Sequence, residues 1–199
     1  GKVLFEHKEV SSKKRVLSEE VAFIISHILL DNNARLITFG ENSFLNVRGR
    51  TIAVKTGTTD DKRDNWTVGW TPSVLVAAWV GNNDNSPMGN VASGVTGATP
   101  IWRRVILEAL KGKPNEDFKK PDNVVAVTID AYGGGLPVDN RPTRSEYFIR
   151  GTEPQSPSPI YKQIKVSKAD TNRLASDDQI QKEEYEVRHF VVFEESDSV

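Results

Sequence analysis

Lys55, Thr56, Gly57 and Thr58 stand consecutively after the short β-branched, apolar run at residues 51–54. On an extended strand the lysine holds its ammonium in a fixed place, as a point charge for an anion. Side chains alternate along a strand, so the hydroxyls of Thr56 and Thr58 fall on one side and can both donate to one carboxylate. Gly57 has no side chain, and a ligand can lie against the backbone there. At a sheet edge, free N–H groups can pair with an extended peptide or polarise a carbonyl. Together these groups make an edge for a peptide that ends in a carboxylate. A lone Lys-Thr-Gly is common by chance and serves equally well as a strand running into a turn. The surrounding elements have to decide.

Upstream, alternation over residues 1–7 (Val3 and Phe5 on one face) predicts an edge strand, followed by a basic connector. Ser18 is an N-cap, with Glu19 and Glu20 suited to the positive end of a helix. Val21, Ile24, Ile25 and Ile28 then recur at i, i+3, i+4 and i+7, which predicts an amphipathic helix ending near residues 31–33. Residues 34–50 read as a loop broken by Gly40 and Gly49. The strand at 51–54 enters the motif, "DDKRDN" turns, and residues 66–70 pair with residues 74–80 as a hairpin. The second hairpin strand is apolar on both faces, which predicts a place in the middle of a covered sheet. A polar loop at 81–97 leads to a second helix with Pro100 at its first position and an apolar face of Ile101, Trp102, Val105, Ile106, Ala109 and Leu110. Gly112 and Pro114 stop it.

Composition shifts after that. Residues 123–129 are β-rich, "YGGGLP" is a turn, and prolines punctuate the stretch from Thr143 onward. From Ser167 the chain is polar and acidic, predicting a solvated, partly disordered tail with one more strand at "YEVRHFVVF". The expected organisation is a first domain at 1–113, a β-rich extension at 114–166 and a tail at 167–199. The element order predicts an α/β (α+β) layer with helices covering an antiparallel sheet.

Several function classes drop out on composition. The 26 basic and 27 acidic residues leave a net charge of −1, which gives no case for a nucleic-acid partner. There is no cysteine, so disulfides, thiol nucleophiles and cysteine–zinc sites are absent. No apolar run approaches a membrane span. The chain starts at Gly1 inside an apparent strand, and the expectation is a piece of something longer whose membrane anchor lies upstream. "GNNDNS" at residues 81–86 has oxygen ligands without the spacing of a calcium loop, and Asx turns are the plainer reading. No metal and no cofactor is expected. His7, His27 and His189 are scattered, and His27 reads as a packed helix residue. Asn65-Trp66-Thr67 fits a glycosylation sequon but lies inside a hairpin strand. Trp66, Trp70, Trp79 and Trp102 read as core and rim rather than a sugar platform.

The stretch "KTGTTDDKRDNWTVGWTPSVLVAAWVGNNDNSPMG", the "TGATPIWRRVILEAL" helix and "EYFIRGTEP" resemble, in order, the transpeptidase domain of class A penicillin-binding proteins. The likeness runs from about residue 15 to about residue 163. It implies a penicillin-binding-protein or serine β-lactamase-like fold, present in part. It implies that Lys55 and Thr56 bind the substrate carboxylate, that Thr58 adds a hydroxyl, and that the Thr58 N–H is one oxyanion-hole donor. The implied partners are peptidoglycan stem peptides ending in D-Ala-D-Ala, β-lactams, and other cell-wall synthesis proteins, outside the cytoplasm. The chain departs from the family's pattern of Ser-x-x-Lys, Ser-x-Asn and Lys-Thr-Gly. No Ser-x-Asn occurs. Ser-x-x-Lys occurs once, at Ser11-Ser12-Lys13-Lys14, in a basic connector without apolar periodicity and too close to Lys55 for the family's order. The expectation is half an active site, without its nucleophile and inactive alone. The competing reading is a noncatalytic wall-binding module; a serine β-lactamase fits less well, because the extension is not shared.

Overall fold

The computed structural model describes residues 1–6, 14–89 and 95–192 of the 199. The chain divides into two units, 1–121 and 122–199.

The first unit opens with helix α1, Glu19–Leu30, where Ser18 Oγ accepts from Val21 N at 3.3 Å as the N-cap. The chain does not loop after it. Asp31 ends α1 and also caps a second helix, α2, Asn32–Phe39, by accepting from Asn33 N at 2.8 Å. A single short acidic side chain that stops one helix and starts the next hides α2 from a pattern search. Strand β1 is Ala53–Thr58, β2 is Asp64–Trp70 and β3 is Leu75–Gly81. They form one antiparallel sheet in the order β1-β2-β3, in which Thr58 opposes Asn65, Thr56 opposes Thr67 and Val54 opposes Gly69. Helix α3, Ala98–Ala109, packs on the face that carries those pairs. The core lies between them: Val54, Ala78, Trp102, Ile106 and Leu110 are all buried. Gly69 is needed there, because a Cβ on it would run into the Trp102 ring.

Four further expectations for this unit need correction. Residues 1–6 form no strand, and Val3 and Phe5 are exposed, since a strand needs a ladder partner and none is present among the described residues. His7 and Ser11 lie outside the described residues. In α1 the buried residues are Phe23 and Ser26, while Val21, Ile25 and Ile28 are exposed. Strand β3 is at an edge of the described sheet rather than its middle, and only its Val76, Ala78 and Val80 side faces α3. In α3 Pro100 is the third residue, not the first, and Ile101 and Val105 turn outward while Trp102 and Ile106 go in. In α1, β3 and α3 the apolar stripe is wider than the surface that covers it here.

The second unit holds two antiparallel pairs: β4, Val124–Asp130, with β5, Thr143–Ile149; and β6, Tyr161–Ser167, with β7, Tyr185–Val191. The polar stretch after Ser167 carries a short helix before its strand. Ser176 and Gln179 form a capping box on a short helix, α4, Asp177–Gln181, and β7 follows it. Buried Asp130 joins β4 to β6: its Oδ1 accepts from Gly133 N at 2.6 Å, Tyr132 N at 2.9 Å and the Tyr161 hydroxyl at 2.9 Å.

Candidate functional site

β1 borders the described sheet with no strand beyond it. In an antiparallel ladder a residue's N–H and C=O both point to the partner or both point away. Thr59 N donates to Asp64 O across the hairpin at 3.0 Å, which puts the odd-numbered residues of β1 on the inner side. The even-numbered carbonyls face outward: Val54 O accepts from Arg35 Nη1 at 3.2 Å, and Thr56 O accepts from the Lys55 ammonium. By the same alternation the Thr58 N–H points away from β2. The free edge therefore begins after Val54, which Arg35 occupies, and offers the peptide groups of Thr56 and Thr58.

Arg35 is well built for that place. It also donates to Leu29 O at 2.7 Å and to Asn32 Oδ1, so it ties the end of α1 and the start of α2 to the strand. Partial burial pulls its pKa down, with nearby Asp31 acting the other way. The guanidinium stays charged regardless. A cavity beside it is lined by Ile28, Arg35, Phe39, Val54, Lys55 and Thr56, with about 200 Å³ of room.

The four motif residues border one edge but not one face. Lys55 and Gly57 lie on the face toward α1; Thr56 and Thr58 lie on the face toward α3. The Lys55 ammonium folds onto its own strand, over the carbonyl that an incoming peptide would meet. Gly57 has ordinary extended backbone, and a Cβ there would meet nothing nearer than Trp66 Cβ at 3.9 Å. Its missing side chain is not required by the local fold.

On the α3 face the pairs opposite the threonines are polar and buried. Thr67 Oγ1 lies 2.9 Å from Thr99 Oγ1. Asn65 donates from Nδ2 to Thr58 Oγ1 at 3.1 Å and accepts at Oδ1 from Ala98 N at 2.7 Å. Farther along, Arg103 Nη1 donates to Phe44 O and to Asn46 O, both at 2.8 Å, holding the loop before β1 against α3.

The other candidates take quieter roles. Asp84 Oδ1 accepts from Ser86 N at 3.0 Å and Ser86 Oγ at 2.7 Å, an Asx turn. Among the described residues no three metal-ligating side chains come together, and no helix is long and apolar enough to cross a membrane. His27 stacks near Phe23, 5.8 Å between ring centres, and His189 sits against Asp139. Trp102 is core; Trp66 and Trp79 are partly exposed. Two residues that shape the edge escape the sequence reading. Arg35 lies where a loop is expected. Asn65 stands out in the sequence only as a sequon, although counting back through the hairpin would pair it with Thr58.

Comparison with known proteins finds similarity to one family. Residues 120–163 match the family described as "Penicillin-binding protein 1A, C-terminal domain". Over 183 residues the chain is 33% identical to penicillin-binding protein 1A of Clostridium botulinum, covering 88% of this chain and 21% of that protein. Over 143 residues it is 36% identical to penicillin-binding protein 1A of Neisseria meningitidis, covering 68% of this chain and 17% of that one. The crystal structure of penicillin-binding protein 1A from Haemophilus influenzae superposes with a TM-score of 0.60 at 28% identity, over 75% of this chain and 23% of that chain. The chain thus spans about a fifth of the length of these relatives.

Proposed function

We propose, on the premise that this chain belongs to the C-terminal region of the class A penicillin-binding proteins, that it supplies the acyl-donor edge of a serine-type D,D-transpeptidase. The observation that carries the reading is the free β1 edge. Two outward peptide groups at Thr56 and Thr58, a lysine and a bare glycine line it, and Arg35 closes its upstream end.

The chemistry runs as follows. A stem peptide lies along β1 with its C-terminal carboxylate near Lys55, Thr56 and Thr58. The Thr58 N–H hydrogen-bonds the carbonyl oxygen of the penultimate D-alanine as negative charge develops on it. Removing one such donor typically lowers turnover about a hundredfold or more. The nucleophile is a serine outside these 199 residues. Its oxygen forms an ester with that carbonyl, and the terminal D-alanine leaves as the amine. An amine from a second stem then displaces the serine and completes the cross-link. β-Lactams imitate the donor and stop at the ester. The protein works on the outer side of the cytoplasmic membrane, held there by an anchor outside this chain, alongside other cell-wall synthesis proteins.

The test compares Lys55→Ala with Lys62→Ala in the full-length protein. Lys62 lies in the exposed turn Asp60–Lys62, past the edge. A charge-assisted contact to a bound carboxylate outweighs an exposed lysine by severalfold. Acylation by a fluorescent penicillin should fall strongly for Lys55→Ala and hardly for Lys62→Ala. Equal effects of the two substitutions on the acylation rate would argue that the motif is structural, and a full-length protein that is not acylated at all would favour a noncatalytic wall-binding module.

A further inference from the structure

We propose that Asn65 is a positioning residue that sets the Thr58 hydroxyl as a hydrogen-bond donor toward the carboxylate of the acyl donor; this rests on the transpeptidase reading above.

Asn65 is fully buried and stands directly opposite Thr58 on the neighbouring strand. Its amide could in principle be turned either way. One neighbour decides. Ala98 N, at the start of α3, is a backbone N–H and can only donate, so the amide oxygen must face it, and it does so at 2.7 Å. The NH2 group is left facing Thr58 Oγ1 at 3.1 Å, and an NH2 group can only donate. The Thr58 oxygen is thereby fixed as acceptor on its inner side. A hydroxyl has one proton, and that proton has to point elsewhere. Among the described residues no acceptor takes it, and Thr58 is exposed at the end of the free edge. A chain of fixed polarity therefore runs from α3 through Asn65 to Thr58. It ends in an outward O–H, the polarity that an anion requires.

A bland account is available: Asn65 only satisfies the first N–H of α3. The two accounts part at Asn65→Asp. A carboxylate still accepts from Ala98 N, so the helix anchor survives. It cannot donate to Thr58. The Thr58 hydroxyl turns inward to donate to it and presents a lone pair to the ligand's carboxylate.

The experiment uses the full-length protein and measures the acylation rate constant with a penicillin and with its methyl ester, which lacks the anionic carboxylate. Melting temperature is read on the same samples. For Asn65→Asp the free penicillin should acylate about tenfold or more slowly, with a much smaller change for the ester. In a Thr58→Val background Asn65→Asp should add almost nothing. If Asn65→Asp does not fold, Asn65→Ala serves, since it buries no charge: the hydroxyl loses its fixed polarity. A several-fold loss confined to the free penicillin and to the Thr58 background is then expected. Equal slowing of penicillin and ester, an unchanged rate, or the same loss with Thr58→Val present would overturn the proposal and leave Asn65 as a helix anchor. An unsubstituted full-length protein that takes up no β-lactam would instead remove the transpeptidase reading, and this proposal with it.

Discussion

At the scale of the residue, glycine is the informative member of the motif. Gly57 lies in ordinary extended backbone, and an added methyl would meet only Trp66 Cβ at van der Waals distance. Folding alone gives no reason for glycine there. Alanine at such a position restricts the unfolded chain and stabilises a protein by about 0.4–1 kcal/mol. On the proposed reading, a methyl would intrude where the ligand backbone is to lie. Gly57→Ala in the full-length protein should therefore melt at the wild-type temperature or slightly above, while acylation by a β-lactam slows strongly. Unchanged acylation would make the glycine incidental. The lysine, threonines and glycine are legible in the sequence because their types state their chemistry. Arg35 and Asn65 are not, because their roles come from what the fold brings beside them. Arg35 reaches Val54 O across 19 positions, and Asn65 reaches Ala98 N across 33.

At the scale of the element, local signals were readable and covering surfaces were not. The Ser18 cap, the hairpin of β2 and β3, the strand β4 and the stop at Gly112 follow from short-range chemistry, and the structure has them. Helix α2 was hidden because Asp31 both ends α1 and caps α2. The apolar residues of α1, β3 and α3 extend past what is packed on them, so periodicity alone overstates the buried face. The clearest element-level prediction concerns Asp130, which ties the end of β4 to Tyr161 at the start of β6. The Gly133 N–H first of all, then the Tyr161 hydroxyl and the Tyr132 N–H, hold its carboxyl below the usual carboxylate range, with Arg141 adding a smaller pull. Burial and the Asp130 contact push the Tyr161 phenol the other way. A carboxyl with a depressed folded pKa stabilises the fold fully above its unfolded value, about 3.9. That stability is lost as pH falls through the folded pKa. Asp130→Asn keeps one oxygen that can accept, removes the charge and puts an NH2 donor in place of the buried, unpartnered Oδ2. Its melting temperature should lie below wild type at pH 7, and the gap should narrow as the pH drops through the folded pKa. A gap that does not change with pH would assign Asp130 a purely steric role.

At the scale of the whole molecule, the chain is two units, and the first holds the free β1 edge proposed to receive an acyl donor. The antiparallel sheet with helices packed on it is the architecture the element order calls for, and it superposes on part of a penicillin-binding protein. The proposed reading needs a nucleophilic serine in a suitable setting, and Ser11 has the spacing but none of the helical periodicity a buried nucleophile needs.

The central claim, that this chain orients an acyl donor but does not attack it, is tested most directly by intact mass. The 199-residue chain and the full-length protein are incubated side by side with the same penicillin. The account predicts one covalent adduct per full-length molecule, mapping to a serine outside these 199 residues, and no adduct on the isolated chain. A stoichiometric adduct on the isolated chain, above all on Ser11, would contradict it.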